Sequence, residues 1–524
     1  MSLLNEPTKL GLALFLAFLT ANVVAAQMRK LRNRVQKKGS FLLTSGEMSE
    51  AAKIISRMKE NSKGIGAVGS SAENGRVGRE LIAKRDKQMG PNVSVFYRQD
   101  GGLVVTSGRG SYMRDVDGNM HLDCCNNVAA CGHAHPAIVA AGTAELAMIQ
   151  TNGRFLHPIR QRFLTKLLAT FPPELNTVYL VNSGSEANDL ALRMSRMHAL
   201  RMGVAAEPDS VIVLDSAYHG HTQALVDISP YKWAQAIDGR NYQPASTYVT
   251  PAPDTFRGKH RASKVGGVGA ASMLYSRDVE NIVNTKGGVG TFIAESILGC
   301  GGQVVMPPGY LEKAYAAVRS KGGVCIADEV QTGFARSGSH FWAFQTYGVV
   351  PDIVTCGKPM GNGYPVAAVI CRREVADSFA STGIEYFNTY GGNSVACAIS
   401  EAVLDTIASE DLQGNALRVG EYIQAAFQPL LEKYDWIGEV RGFGLFQGVE
   451  FVKSRKDANL QPHPDLTKFV VDFLRYKRVI ISRDGPDENV IKIKPPLVFS
   501  KFDVEKLVAE VDNALAEALQ SGEF

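Results

Sequence analysis

The sequence lacks the features by which several classes of protein are recognised. None of its eight cysteines belongs to a C-x-x-C pair, and no spacing of His or Cys is typical of a metal site. The cysteines therefore indicate reduced, mostly buried thiols in a reducing compartment, and not a disulfide framework or a zinc centre. His133 and His135 stand close together, but Pro136 follows them, which favours a helix start or a loop over a metal site.

The chain also lacks a basic excess outside its first residues. Residues 1–38 contain seven Lys or Arg and one acid; subtracting them from the totals of 56 and 52 leaves 49 basic and 51 acidic residues. This net charge of −2 gives no indication of nucleic acid as a partner. Hydrophobic residues make up 45% and charged residues 21%, as in a globular protein, and 524 residues are enough for two or more lobes.

Residues 10–26 form one long uncharged run, and a basic flank without acids follows at residues 28–38. The run is near the lower limit for a transmembrane helix and long for the core of a signal peptide. The positive-inside rule predicts a membrane anchor at residues 10–26 that keeps the rest of the chain in the cytosol. A cleaved signal and a mitochondrial presequence are the alternatives. Reduced cysteines argue against the first, and the uncharged run fits poorly with the second.

The pattern of the chain predicts an α/β fold in several parts. Residues 1–38 are interpreted as an anchor or targeting segment and residues 39–80 as a linker. Strands and helices then alternate, which is typical of a mostly parallel sheet covered by helices. After about residue 405, long amphipathic helices and short strands indicate a smaller α/β lobe. We therefore predict a large domain at residues 151–400 and a small domain formed by residues 81–150 and 401–524.

Two chemically informative residues stand at the ends of apolar strands. Lys358 follows the strand that contains Ile353, and Asp328 ends the strand that contains Ile326. In an open parallel sheet, ligands bind outside the carboxyl ends of strands, so the amine and the acid are expected to face a common pocket. Taken singly, Lys358 also suits a solvated loop and Asp328 a helix N-cap.

A third motif combines with these two. Ser183, Gly184 and Ser185 stand between an apolar strand and a helix, where free N–H groups and the helix dipole form a phosphate cradle. Alone, the motif is equally a Ser-capped helix. Together with Lys358 and Asp328 it predicts pyridoxal phosphate, because a Lys amine forms a Schiff base with its aldehyde and an acid keeps its pyridine nitrogen protonated.

An aromatic residue follows the next predicted strand, which spans residues 211–215. Tyr218 stands three residues beyond it, with His219 and His221 beside it. A ring in this position is suited to stacking on a flat cofactor. Packing at the strand end is the alternative interpretation.

The three motifs, which follow one another along the chain as Ser183-Gly184-Ser185, Asp328 and Lys358, resemble the signature of the class III pyridoxal-phosphate-dependent aminotransferases over roughly residues 85–520. Within that class, the chain is most similar to the ethanolamine-phosphate phospho-lyase branch, which includes 5-phosphohydroxy-lysine phospho-lyase. The stretches that carry this likeness are residues 126–129, 152–157, 228–232, 253–259, 385–393 and 492–496. Alanine–glyoxylate aminotransferase 2 shares the core motifs. Residues 1–80 depart from the family, which leaves the localisation open between membrane-anchored and mitochondrial.

The resemblance implies the fold of the fold-type I transferases and a role for individual residues. Lys358 would be the Schiff-base lysine, Asp328 the pyridinium partner, and Gln331 a ligand of the ring hydroxyl. The cofactor phosphate would be held by Gly184 and Ser185, and the ring would be stacked by Tyr218. Thr389 would reach the cofactor phosphate of a neighbouring subunit, which implies a homodimer with shared active sites.

The resemblance leaves the substrate residues and the reaction open. Arg441 matches an arginine that holds substrate carboxylates in transaminases, and Glu295 matches an acid near that site. Arg154, Arg441 and Lys494 are candidates for the substrate phosphate, although each also suits a structural role. A phospho-lyase and a transaminase that moves an amino group to a 2-oxo acid share every cofactor residue. A silent membrane-tethered scaffold is the third hypothesis, and the presence of both Lys358 and Asp328 argues against it.

Overall fold

The computed structural model of the protein describes residues 73–203, 207–238 and 240–524. The chain divides into two compact units, residues 1–76 and residues 77–524, and only residues 73–76 of the first are described. Residues 10–26 lie outside the described ranges. The predicted transmembrane helix has no counterpart in the structure: no helix in the described ranges is both long and apolar enough to cross a membrane.

The α-helices of the described ranges are α1 Glu73–Gln88, α2 Pro136–Leu146, α3 Pro158–Leu168, α4 Gly184–Met202, α5 Gln223–Val226, α6 Pro230–Trp233, α7 Ala262–Val265, α8 Val268–Lys286, α9 Tyr310–Arg319, α10 Arg373–Ala380, α11 Ser394–Ser409, α12 Leu412–Lys433, α13 Pro464–Tyr476 and α14 Lys501–Ser521. Short 3₁₀ helices lie at Arg98–Asp100, Ala343–Tyr347 and Lys358–Gly361. Several helices begin at a Pro, and others follow directly after a residue whose side chain caps the first turn. Ser183, for example, accepts a hydrogen bond from the N–H of Glu186 at the start of α4.

The strands are β1 Val105–Arg109, β2 Tyr112–Asp115, β3 Met120–Asp123, β4 Thr177–Val181, β5 Val211–Leu214, β6 Thr247–Thr250, β7 Thr291–Glu295, β8 Ile297–Leu298, β9 Val304–Val305, β10 Val324–Asp328, β11 Ile353–Cys356, β12 Ala367–Cys371, β13 Ile437–Phe443, β14 Phe446–Phe451, β15 Val479–Ile480, β16 Ser482–Asp484 and β17 Val490–Ile493.

A seven-stranded sheet with the order β4-β12-β11-β10-β7-β5-β6 forms the centre of the fold. Strand β12 runs antiparallel to both its neighbours, and the other pairs are parallel. Every residue of β5, β7, β10, β11 and β12 is buried, so both faces of these strands are covered. Helices α4, α8 and α9 pack against strands of this sheet. This is the arrangement expected for apolar parallel strands joined by helices.

Two four-stranded sheets and one two-stranded sheet accompany the central sheet. One has the order β1-β2-β3-β15, the second β13-β14-β17-β16, and the third pairs β8 with β9. Strands β2 and β3 form a hairpin around the Asp117-Gly118 turn, with Tyr112 opposite Leu122. Strand β15, from the C-terminal part of the chain, pairs in parallel with β3. The α/β fold with a large, mostly parallel sheet covered by helices is thus confirmed, while the predicted domain boundaries stay a prediction.

Candidate active site

A cavity of about 230 Å³ lies at the carboxyl edge of the central sheet. Strands β4, β5, β7, β10 and β11 all end at this edge because they run in the same direction. The cavity is lined by Ser183, Gly184, Ser185, Asn188, Tyr218, His219, Gly220, Glu295, Asp328, Val330, Gln331 and Lys358. The structure therefore brings together most of the residues that the sequence singled out.

Asp328 is held on the cavity floor by hydrogen bonds to both its oxygens. Asn188 Nδ2 and His219 Nδ1 each lie 2.8 Å from Oδ2, and the N–H of Val330 donates to Oδ1 at 3.1 Å. Because an ionised carboxylate only accepts, Nδ1 of His219 carries the proton in this pair. Asn188 is fixed in turn by Thr355, whose hydroxyl donates to Oδ1 at 2.6 Å. This carboxylate is thereby fixed in orientation at the end of β10.

Lys358 lies two residues after the end of β11, at the first position of a 3₁₀ helix. Its side chain is half-buried and lines the cavity. In the described part of the chain, its amine makes neither a hydrogen bond nor an ion pair with another side chain. A lysine in such a position is available to react with a carbonyl compound in the cavity.

The start of α4 forms one wall of the cavity. The side chain of Ser183 caps the N–H of Glu186, while Gly184 and Ser185 occupy the first turn, where backbone N–H groups have no partner within the helix. A Cβ on Gly184 would lie 2.6 Å from Cγ1 of Val330, and one on Gly220 would lie 2.6 Å from Oγ of Ser185. Two glycines thus keep the backbone close to the cavity and leave space for an anion at the helix start.

Glu295 ends β7 and lies opposite Asp328 in the parallel register. Its oxygens accept hydrogen bonds from the N–H groups of Tyr218 at 3.3 Å and Gly299 at 3.1 Å. Burial raises the pKa of Glu295 to about 7, and repulsion from Asp328 adds to the rise. The cavity therefore contains a carboxyl group that changes its charge near neutral pH.

Gln331 joins Glu295 to a buried cation behind the cavity wall. Its Nε2 lies 3.4 Å from Oε2 of Glu295, and its Oε1 accepts from Nζ of Lys494 at 3.2 Å and from Asn127 at 3.4 Å. Lys494 is 3% exposed, and its amine is 3.8 Å from Oδ2 of Asp484. Burial lowers the pKa of Lys494 to about 8.

Besides Lys494, three of the predicted site residues lie outside the lining of the cavity. Thr389 is exposed, in the segment between α10 and α11. Arg154 is also exposed, where it forms an ion pair with Glu385 at 3.0 Å and lies over the ring of Phe387. The structure of the single chain therefore does not bring Arg154 or Thr389 to the predicted site.

The third of these residues, Arg441, is buried and bound to groups of its own chain. Its Nη1 donates to Glu439 at 2.7 Å and to Glu450, and Nε and Nη2 both donate to the carbonyl of Gly302. It lines a separate cavity of about 480 Å³, together with Arg257 and other residues of that region. The structure thus places Arg441 in an internal charge network rather than in the lining around Lys358.

Sequence reasoning missed two residues of the cavity. Asn188 lies in the helix that follows the Ser-Gly-Ser motif, where its spacing from Ser185 indicates only a capping pattern. His219 is noted in the sequence only as a neighbour of Tyr218. Both contact Asp328. Their polar side chains on elements that flank a strand-end carboxylate were the available signal.

The residues present fit pyridoxal phosphate. The lining combines a reactive amine, a fixed carboxylate, an aromatic ring and a helix start with space for an anion. A cofactor that carries an aldehyde, a pyridine nitrogen and a phosphate needs these groups. A Cβ on Gly184 would collide with Val330 and one on Gly220 would collide with Ser185, so a larger residue at either position would crowd the helix start.

Comparisons with known proteins find relatives that are named as alanine–glyoxylate aminotransferases or as a phospho-lyase homolog. The chain is 45% identical over 446 residues to a Drosophila melanogaster protein named alanine–glyoxylate aminotransferase 2-like, covering 84% of this chain and 88% of the relative. It is 39% identical over 450 residues to Caenorhabditis elegans ethanolamine-phosphate phospho-lyase homolog 1, covering 83% and 93%. The Homo sapiens mitochondrial alanine–glyoxylate aminotransferase 2 is 35% identical, covering 83% and 85%.

A solved structure extends this likeness to three dimensions. An Arthrobacter phospholyase in complex with phosphoethanolamine superimposes with a TM-score of 0.75 at 35% identity, covering 83% of this chain and 99% of that one. The sequence pattern of the family described as aminotransferase class-III matches residues 96–515. The family implies an enzyme with pyridoxal phosphate as its cofactor. On this match and on the identities of its relatives, the chain belongs to the class III aminotransferase family.

Proposed function

We propose that this enzyme is a lyase that eliminates phosphate and ammonia from a phosphorylated primary amine such as phosphoethanolamine, giving an aldehyde. The observation that carries the proposal is that Arg441 is already paired within its own chain: its guanidinium donates to Glu439, Glu450 and the carbonyl of Gly302. A transaminase acting on amino acids needs a free cation for the substrate carboxylate. In the described part of the chain, the buried cation next to the lining is Lys494, which suits a compact anion such as phosphate.

The cavity residues would divide the work between binding the cofactor and moving protons. Lys358 would hold the cofactor through its amine, Asp328 would hold the ring nitrogen, and Gly184 and Ser185 would bind the cofactor phosphate. Tyr218 and Gln331 would contact the ring. When bound, pyridoxal phosphate supplies an electron sink for the pair of electrons left when a proton departs from the carbon next to the substrate nitrogen.

The side chains then account for the elimination. Once the amine of the substrate has displaced it from the cofactor, the free amine of Lys358 would remove a proton from the carbon that bears nitrogen. The bond between the neighbouring carbon and the ester oxygen breaks, and the phosphate departs with that electron pair. The released enamine hydrolyses to an aldehyde and ammonia, so that atoms and charge balance without a 2-oxo acid.

A homodimer is part of the proposal. Thr389 lies in an exposed segment whose aromatic residues are open to solvent, with Phe387 40% and Tyr390 71% exposed. Phe155 and Leu156 are exposed as well. Exposed apolar residues at this density favour a protein interface. A two-fold axis here would let Thr389 of each subunit serve the other's cofactor.

The second candidate is a transaminase of the alanine–glyoxylate type. Two of the relatives carry that name, one of them with 45% identity. In this case Arg441 would have to leave Glu450 in order to bind a substrate carboxylate.

The human relative is named mitochondrial, and we propose a mitochondrial location for this chain on that likeness.

The test uses the full chain loaded with pyridoxal phosphate. Phosphoethanolamine is added without a 2-oxo acid, and free phosphate and acetaldehyde are followed together, with Lys358→Ala as the inactive control. Equal release of both over many turnovers is the expected result. No phosphate release, together with amino transfer from alanine once glyoxylate is supplied, would overturn the lyase and establish the transaminase.

A further inference from the structure

Glu295 occupies a position that the elimination described above does not use. It is 2% exposed, lines the cavity and lies opposite Asp328 on the neighbouring strand. The N–H groups of Tyr218 and Gly299 and the amide of Gln331 fix its two oxygens. Arg441 is not among its hydrogen-bond or ion-pair partners. A buried acid that is held by neutral donors beside another carboxylate is typical of a functional site.

The departure of phosphate creates a need for a proton. A phosphate monoester is mostly a dianion at pH 7, since its second pKa is about 6. Cleavage of the carbon–oxygen bond of this dianion would expel a fully deprotonated trianion, which is a poor leaving group. A proton delivered to the ester oxygen as the bond breaks lets the group leave as hydrogen phosphate, which is far more stable at neutral pH.

We propose that Glu295 is the general acid that protonates the departing phosphate. In this proposal Gln331 positions the carboxyl group of Glu295, and Lys494 attracts the phosphate. This inference rests on the proposed lyase function. In the step, the carbon–oxygen bond breaks and its electron pair stays on oxygen. The O–H bond of Glu295 breaks at the same time, and its proton moves to that oxygen. Hydrogen phosphate and the Glu295 carboxylate result.

The surroundings of Glu295 suit this role. Burial, and to a smaller extent repulsion from Asp328, raise the pKa of Glu295 to about 7. At neutral pH, Glu295 is therefore protonated in a large fraction of the molecules. The best general acids have pKa values near the working pH. The charged and titratable groups that face it come from every neighbouring element: Asp328 on β10, Tyr218 and His219 after β5, Cys300 after β8, Lys358 after β11 and Lys494 after β17.

Lys358 is the competing proton donor. After it removes the proton from carbon, its ammonium could return that proton to the phosphate. Mutation distinguishes the two donors, because Lys358 is also needed for proton removal and Glu295 is not. Loss of Glu295 alone should therefore slow phosphate departure while the carbon–hydrogen bond continues to break.

The experiment compares wild type, Glu295→Gln and Glu312→Gln in the loaded full-length enzyme. Gln keeps the shape of Glu but carries no acidic proton, and Glu312 makes the same change on an exposed surface. We expect Glu295→Gln to lower kcat for phosphoethanolamine by about 10²- to 10⁴-fold, the usual contribution of a general acid. Release of chloride from 2-chloroethylamine should stay near the wild-type rate, because chloride departs without a proton.

Two further readouts separate a chemical role from a structural one. In D₂O, Glu295→Gln should exchange the hydrogen next to nitrogen faster than it releases phosphate, as followed by NMR. In the infrared spectrum at about pH 6, wild type and Glu312→Gln should show a protonated-carboxyl band that Glu295→Gln lacks. In wild type, kcat/KM should fall as the pH rises above about 7, and Glu295→Gln should lose this descending limb.

Each outcome is decisive. If wild type releases no phosphate from phosphoethanolamine, the proposed function is overturned and the role of Glu295 with it. If wild type is active and Glu295→Gln is equally active, only the role of Glu295 is overturned. Equal losses with phosphoethanolamine and 2-chloroethylamine would also overturn it, because they would assign a structural role to Glu295.

Discussion

Replacement of Arg441 by Met tests whether this residue is part of the structure or part of the substrate site. Arg441 is 9% exposed, and its partner Glu450 is 1% exposed. Met removes the charge and keeps an unbranched side chain that fills the space. Glu450 then retains Arg257 and Asn489 as partners, while the carbonyl of Gly302 loses both donors from Arg441.

The magnitude follows from this geometry. Removal of one partner of a buried ion pair costs about 3–5 kcal/mol, because a charge is left without compensation. Since Arg257 still pairs with Glu450, we expect about 3 kcal/mol, at the lower end of that range. The double variant Arg441→Met/Glu450→Met should be destabilised by less than the sum of the two single changes, because it removes both charges of the pair.

Urea unfolding at equilibrium measures these differences. The control is Arg373→Met, since the Arg373–Asp377 pair has side chains that are 71% and 51% exposed, and its loss should cost less than about 1 kcal/mol. Release of phosphate from phosphoethanolamine by the folded Arg441→Met variant should continue. An Arg441→Met variant as stable as wild type that has lost transfer from alanine to glyoxylate would refute the reasoning and establish Arg441 as a carboxylate ligand.

The residues in and behind the cavity give three further predictions. Burial lowers the pKa of Lys494 from 10.5 to about 8. Between these two pH values the unfolded chain therefore binds more protons at this lysine than the folded chain does. The unfolding free energy of wild type relative to Lys494→Met should rise as the pH increases from about 8 to 10.5. His219→Ala removes a hydrogen bond to the carboxylate of Asp328 and should weaken cofactor binding by about 1.5–3 kcal/mol, or about 10- to 150-fold, in equilibrium dialysis. Gly184→Ala should also weaken cofactor binding in dialysis, because its Cβ would lie 2.6 Å from Val330, and Val330→Ala in the same chain should restore it.

Much of the site could be predicted from local sequence. The strand-end positions of Asp328 and Lys358, and the helix start at Gly184 and Ser185, are local features of apolar runs followed by turns. Because parallel strands end at the same edge of a sheet, these features together predict a shared pocket. The structure has them in one cavity, with Glu295 and Tyr218 beside them.

The partners of these residues could not be predicted in the same way. Asn188 and Asp328 are 140 positions apart in the chain, and Gln331 and Lys494 are 163 positions apart. Which polar groups meet across such distances depends on how helices and lobes pack, and no local pattern records it. For the same reason, the sequence predicted Arg441 as a substrate ligand without revealing Glu450 as its buried partner.

The family, the α/β fold and most of the chemically active residues of the cavity could be predicted from the sequence, because strand polarity, helix starts and turn residues act over a few positions. Which charged side chains are left without a partner depends on the packing of the whole chain. This packing buries Arg441 among carboxylates, places Lys494 behind Gln331 and sets Glu295 opposite Asp328. The energy of a buried charge depends on every group that surrounds it, and those groups come from distant parts of the chain.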